Sequence, residues 1–236
     1  MAVDSSRVLF EDNHLLIYNK QPGDIVQGDK TGDTPLSEYV KQYIKEKYQK
    51  PGEVFLGVVH RIDRPVSGVV IFARTSKALT RLNQMLKSGE IKKTYWAVTS
   101  NAPPAQKDHL IHYLVRNEKQ NKSYTHAKPV NNSKMAELEY QLISMSDRYF
   151  LLEINLMTGR HHQIRTQLAH IGCPIKGDLK YGAQRSNPNG SIHLHARSIE
   201  FTHPVRKESL KVDANPPEDP LWNHFSTAEI SLPQQK

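Results

Sequence analysis

Five consecutive apolar residues, Val69-Val70-Ile71-Phe72-Ala73, set the strongest constraint on how this chain can fold. A run without polar alternation cannot lie on a sheet with one wet face, so it reads as a strand covered on both sides. It is far too short to cross a bilayer. Just before it stand His60-Arg61-Ile62-Asp63-Arg64-Pro65, where Pro65 forces the chain out of regular structure, and then Ser67-Gly68. A charged, proline-bounded loop is thereby hung on a rigid strand, the usual place for a reactive group. Asp63 reads there as a reactive carboxylate, a turn residue or half of a surface salt bridge, and spacing alone does not choose.

The neighbouring segments alternate strand and helix signals. Val8–Glu11 and Leu15–Tyr18 flank Asp12-Asn13 as a hairpin. Thr34 and Pro35 predict a helix start, with Leu36, Val40 and Ile44 on one face and Pro51-Gly52 as the stop. Ser76 predicts the cap of a second helix carrying Leu79, Leu82 and Leu86, ended by Gly89. Lys93–Val98, the alternating Leu138, Tyr140 and Leu142, Tyr149–Leu156 and Ile192–Phe201 read as strands. A helix is expected from Thr158-Gly159, with Ile164, Leu168 and Ile171 inward. Many short strands with interspersed helices predict an α+β class around a largely antiparallel sheet. No repeat or linker breaks the pattern, so one domain is expected over residues 1–214, with a partly irregular tail over 215–236.

Charge narrows the partners. Lys and Arg number 32 against 24 Asp and Glu, an excess that favours a polyanion such as nucleic acid without requiring one. Cys173 is the only cysteine, which leaves no intrachain disulfide and no cysteine-built zinc site. The N-terminus lacks a signal-peptide pattern. A reducing, cytoplasmic compartment without membrane contact is the expectation.

Two further segments carry chemistry. In Thr158-Gly159-Arg160-His161-His162-Gln163-Ile164-Arg165, a helix N-terminus with basic side chains would attract an anion; an ordinary solvated basic helix start fits as well. Arg165 lies four residues after His161 and would share its helical face. In Lys92-Lys93-Thr94-Tyr95-Trp96-Ala97-Val98 the two aromatics point to opposite faces, so one can pack in the core and the other stack on a base. The more apolar neighbours Thr94 and Val98 place Trp96 in the core and Tyr95 in a cleft. His193, His195, His161 and His162 could be drawn together as a metal site, but no metal-binding spacing accompanies them.

Taken in order, these segments resemble the RluA-type RNA pseudouridine synthases. His60–Val70 is similar to that family's H-R-L-D-x-x-T-S-G motif, and Gly159–Arg165 to its G-R-x-H-Q-I-R motif. Gly172-Cys173-Pro174-Ile175-Lys176-Gly177-Asp178 with Tyr181-Gly182 is similar to G-x-P-I-x-G-D…Y-G, Lys92–Val98 to a K-x-Y-x-A strand, and His195-Ala196 with His203-Pro204 to the C-terminal strand. Val66 stands where the family has Thr, and Asn19-Lys20-Gln21-Pro22-Gly23 departs from N-K-P-x-G. The resemblance implies a pseudouridine synthase fold with an RNA-binding cleft, no separate N-terminal RNA-binding module, and a monomer acting on ribosomal or transfer RNA. It also implies no cofactor and no metal, because isomerisation conserves every atom. It assigns catalysis to Asp63, Tyr95 and Arg165, with Arg165 as the salt-bridge partner of Asp63, and RNA contacts to Arg61, Arg64, Arg160, His161 and His162. A catalytically silent RNA-binding protein of the same fold is the alternative.

Overall fold

A computed structural model of the chain describes residues 3–28 and 32–227. It resolves into two compact units, one built from residues up to Ile91 together with Ala196–Asn215, the other from Lys92–His195 together with residues from Pro216 onward. Both carry antiparallel strands with a few helices, in keeping with the α+β class.

In the first unit, β1 (Val8–Glu11) and β2 (Leu15–Lys20) form the expected hairpin. The Asp12 side chain closes it by accepting the His14 and Leu15 backbone N–H groups at 2.8 Å each. β2 pairs antiparallel with β4 (Ser67–Ala73), from Leu15 opposite Ala73 to Lys20 opposite Gly68. The short β3 (Gly57–Val58) also pairs with β4. On the other side of β4 runs β10 (Leu194–Thr202), followed by β11 (Ser209–Asp213).

Every residue of β4 is buried, as its unbroken apolar run predicts. The period of two divides its neighbours between two cores. On one face Leu15, Ile17, Val69, Ile71 and Ala73 pack with Ile199, Phe201 and the helix α2 (Ser76–Ser88). On the other, Leu16, Tyr18, Val70 and Phe72 pack with α1 (Leu36–Lys47) through Leu36, Val40 and Ile44. The caps differ by a residue from expectation. Thr75, not Ser76, caps α2, taking the Ala78 N–H at 3.2 Å, and Gly89 ends it in the left-handed region at φ 76°. α1 begins after Pro35 with no side-chain cap; the Ile25 and Val26 carbonyls accept its Leu36 and Ser37 N–H groups instead.

The second unit lines up β5 (Lys92–Thr99), β9 (Phe150–Leu156), β8 (Lys134–Met145), β6 (Lys107–Asn117) and β7 (Lys122–His126) in that order, all antiparallel. The long β6–β7 hairpin is not foreshadowed by the sequence pattern. Only Leu110 and Leu114 of β6 are buried, four apart, so the strand lacks the alternation that marks a half-buried strand. Two helices complete the unit, α3 (Gln163–His170) and α4 (Pro220–Thr227). Trp222 and Phe225 of α4 cover Val98, Ile143 and Leu151, so the tail expected to be partly irregular includes a packed helix. The remainder of the expected tail, from residue 228, lies outside the described residues.

Candidate active-site residues

The Asp63 loop belongs to the first unit and is held chiefly by its own main chain. The Val66 N–H bonds back to the Asp63 carbonyl at 3.0 Å, and the Arg64 carbonyl accepts the Gly23 N–H at 2.9 Å. At the upstream end, His60 Nε2 accepts the Ile71 N–H at 3.2 Å. Beneath the loop lies Lys20, fully buried at the end of β2. Its Nζ donates to the carbonyls of Gln21 at 2.8 Å, Arg64 at 3.1 Å and Val66 at 2.7 Å. Three acceptors call for the three N–H groups of an ammonium. Burial pushes Lys20 down to about 7, while Asp24 and Asp63 pull it upward. Asp63 itself is half-buried above this lysine.

Gly68 fixes the downstream end. Its φ is 115°, and a Cβ there would stand 2.3 Å from the Ala196 carbonyl oxygen. Only glycine fits both the backbone and the space. Val66, which replaces the family's Thr, is buried at 2% exposure, so its methyl groups suit their apolar surroundings. Arg61 is exposed. Arg64 is half exposed and pairs with Asp33 at 2.8 Å, an ion pair of the surface type.

The remaining predicted residues lie in the second unit. Tyr95 is buried at 8% exposure, while Trp96 is only half-buried, so the expected contrast is reversed in degree. Trp96 does pack on the α4 cluster as predicted, and it donates Nε1–H to Glu153 at 3.3 Å. β5 pairs antiparallel with β9, with Tyr95 opposite Ile154 and Trp96 opposite Glu153.

The segment 158–165 also differs from its expected form. The helix starts at Gln163, not at Thr158, and His162 precedes it with φ 53°. The cause is the Gln163 side chain, whose Oε1 accepts both the Arg160 N–H at 2.9 Å and the Thr158 hydroxyl at 2.8 Å, folding residues 158–162 into a turn. His161 is therefore off the helix and shares no helical face with Arg165. His162 is buried at 8% exposure, with His161 stacked on it at a ring separation of 3.8 Å. The Tyr181 hydroxyl accepts the Ser123 N–H at 2.8 Å and shares a hydrogen bond with His162 Nδ1 at 2.9 Å. His162 supports the turn. Arg160 stays exposed, with Nε on the Met135 carbonyl at 2.9 Å.

Arg165 is buried at 5% exposure and grips Asp178 with a two-pronged pair, Nε to Oδ2 at 2.7 Å and Nη2 to Oδ1 at 2.8 Å. Its guanidinium also lies 5.1 Å from the Tyr181 ring centre. Such a fork fixes the plane of the guanidinium as well as its position. Among the described residues no three His, Cys, Asp or Glu side chains form a group able to hold a metal. His193, one of the four histidines a metal site would need, uses Nδ1 on Asn187 at 3.0 Å and Nε2 on Asp219 at 3.0 Å. No helix among the described residues is long and apolar enough to cross a membrane.

The sequence model of the family described as RNA pseudouridylate synthase matches residues 14–170, the stretch that carries both the Asp63 loop and the Arg165 turn. The chain belongs to the RNA pseudouridine synthases, RluA type. It is 31% identical over 213 residues to an uncharacterised RNA pseudouridine synthase of Bacillus subtilis, covering 90% of this chain and 69% of that one. It is 29% identical to the ribosomal large subunit pseudouridine synthase C of Vibrio cholerae, covering 96% and 69%, and 31% identical to that of Buchnera aphidicola, covering 94% and 70%. In fold it is similar to human RNA pseudouridylate synthase domain containing 4, with a TM-score of 0.77 at 22% identity over 93% of this chain and 91% of that one. This enzyme is thus an isomerase acting on RNA.

Three residues that hold the candidate residues in place within their own units do not stand out in the sequence. Asp178 and Tyr181 read only as parts of a motif, and Lys20 only as a neighbour of a departure from one. A buried acid following the buried basic helix is a usable signal for the first. For Lys20 the signal is a lysine ending the otherwise apolar strand Leu15–Lys20, where an unpaired ammonium could not be buried.

Proposed function

We propose that this pseudouridine synthase isomerises uridine in large-subunit ribosomal RNA, with Asp63 acting at the ribose of a uridine turned out of its stack. The support for the RNA class is the large-subunit ribosomal activity for which its Vibrio and Buchnera relatives are named. The support for Asp63 is the loop itself: a half-buried carboxylate on a segment fixed by Lys20, His60 and Gly68 is a preorganised group, not a mobile turn residue. Reaching a stacked uracil requires base flipping at a cost of a few kcal/mol. Arg61, exposed on the same loop, fills the vacated place in the RNA. Asp63 then either attacks the anomeric carbon as its bond to uracil N1 breaks, or removes the proton of the neighbouring carbon as uracil leaves. Uracil rotates and rejoins through carbon 5, which frees the carboxylate or is followed by return of the proton. Tyr95 packs on the base and handles the proton leaving carbon 5, and Arg165 is the charge partner of the carboxylate. Arg64, Arg160 and His161 meet phosphates. The reaction conserves its atoms, so the proposal includes neither a redox cofactor nor a metal, and the enzyme works as a cytoplasmic monomer.

The deciding experiment is Asp63→Asn assayed by tritium release from unmodified large-subunit ribosomal RNA transcribed with 5-tritiated uridine. Turnover should vanish while affinity stays within a few-fold, because phosphate contacts supply most of the binding. Substantial turnover by the variant would remove Asp63 from the chemistry. Carbodiimide mapping of ribosomal RNA from cells with and without the gene then locates the uridine; no lost site there, with one in transfer RNA, would redirect the substrate.

A further inference from the structure

Burial lowers the proton affinity of Lys20, Lys93 and Lys176, and their surroundings differ in kind: Lys176 has the Asn187 side-chain oxygen at 2.6 Å. Lys20 is saturated by three carbonyls. Lys93, on β5, is half-buried and makes no hydrogen bond or ion pair to any described residue. Burial alone lowers its proton affinity, and no carboxylate offsets that loss. Keeping a cation in such a place without an anion is unfavourable, so the position is complete only when an anion arrives.

The surroundings leave space for one. Lys93 Nζ lies 3.7 Å from where a side chain would begin on Gly159, so the glycine leaves the ammonium uncovered on that side. Gly159 and its neighbour Arg160 are both exposed, which adds a second cation at the same turn. Lys93 also shares its strand face with Tyr95, two residues along and about 7 Å away.

We propose that Lys93, with Arg160 across the open backbone of Gly159, binds a phosphodiester of the RNA next to the uridine that Tyr95 contacts. This rests on the role proposed for Tyr95, and it adds a substrate-binding residue to that site. A bound phosphate supplies the missing charge, and the half-buried position makes the contact stronger than one at an open surface lysine.

The test is direct binding of unmodified large-subunit ribosomal RNA transcript over a salt series. Lys93→Met should weaken binding about tenfold and lower the slope of log affinity against log salt by about one. Lys93→Arg should keep the slope. In turnover assays the loss should fall on KM more than on kcat. Lys93→Gln gives the same comparison should the methionine variant fail to fold. A wild-type slope in both neutral variants, or a collapse of kcat at unchanged affinity, overturns the phosphate assignment. Binding is read without turnover, so a wild-type protein that binds with the expected slope yet releases no tritium contradicts the proposed function and leaves this site standing.

Discussion

The Asp63 loop and the Arg165 turn are both irregular segments beside regular structure, yet they are secured in opposite ways. The loop is fixed through backbone atoms: carbonyls of residues 21, 64 and 66 around one buried ammonium, and a glycine against the neighbouring strand. The turn is fixed through side chains, with Gln163 folding it, Tyr181 holding His162 and Asp178 clamping Arg165. A loop held by its carbonyls tolerates changes in its own side chains but depends wholly on the one remote group that binds them. A turn held by side chains distributes the task, so each loss is smaller and local.

The largest effect should therefore come from Lys20→Met. Three hydrogen bonds from a buried ammonium are lost, and bonds to a charged group contribute about 1.5–3 kcal/mol each, so stability should fall by about 3 kcal/mol or more. Turnover should fall more than about tenfold as the Asp63 loop loosens. Urea unfolding and tritium release measure the two. A variant that keeps both would erase the contrast, since the loop would then be holding itself.

Tyr181→Phe should do less. It removes one hydroxyl that serves Ser123 and His162, for a loss of about 1–3 kcal/mol. Faster amide hydrogen exchange confined to Ser123 and the 158–162 turn would sharpen the contrast, whereas exchange rising throughout the unit would break it.

The smallest effect should be common to both units. Burial holds His193 and His203 below the ordinary value of 6.5, opposed by Asp219 and Asp12 respectively. The unfolded chain takes up protons at these residues before the folded one does, so their contribution is complete above about 6.5 and is lost as pH falls from there through the lower folded values. Asp12 and Asp219 are themselves held below 3.8, so their contribution disappears only in stronger acid. From these two imidazoles the unfolding temperature should carry no slope above neutrality and decline below it. A level profile down to the carboxylate range would show that both imidazoles take up protons as readily in the fold as in the unfolded chain.

How far the sequence can be read follows from the range of the interactions. The burial of β4 is visible because five apolar residues stand together, and the end of α2 because Gly89 follows it directly. The start of α3 falls later than its pattern predicts because a glutamine side chain folds back by three and five residues, which no capping rule anticipates. α4 escapes notice because its amphipathic face is short and follows prolines. Asp63 is legible from its own surroundings, but what holds it sits 43 residues earlier at Lys20. Arg165 is legible too, while its fork to Asp178 spans 13 residues across a bend and leaves no periodic trace. The degree of Tyr95 burial depends on β9 lying beside β5, again a matter of which strands become neighbours.

The first unit is assembled from two stretches of chain, with β10 and β11 arriving after the whole strand array of the second. During synthesis β4 must consequently wait with one edge unpaired except where β3 meets Phe72 and Ala73. Its partner strand emerges roughly 120 residues later, a delay of about ten seconds at ordinary ribosomal speed. An all-apolar strand with an open edge is an aggregation hazard for that interval. The newborn chain is thus most exposed to misassembly in the segment that later bears Asp63, and chaperone dependence should track the interval between β4 and β10 rather than the stability of the finished enzyme.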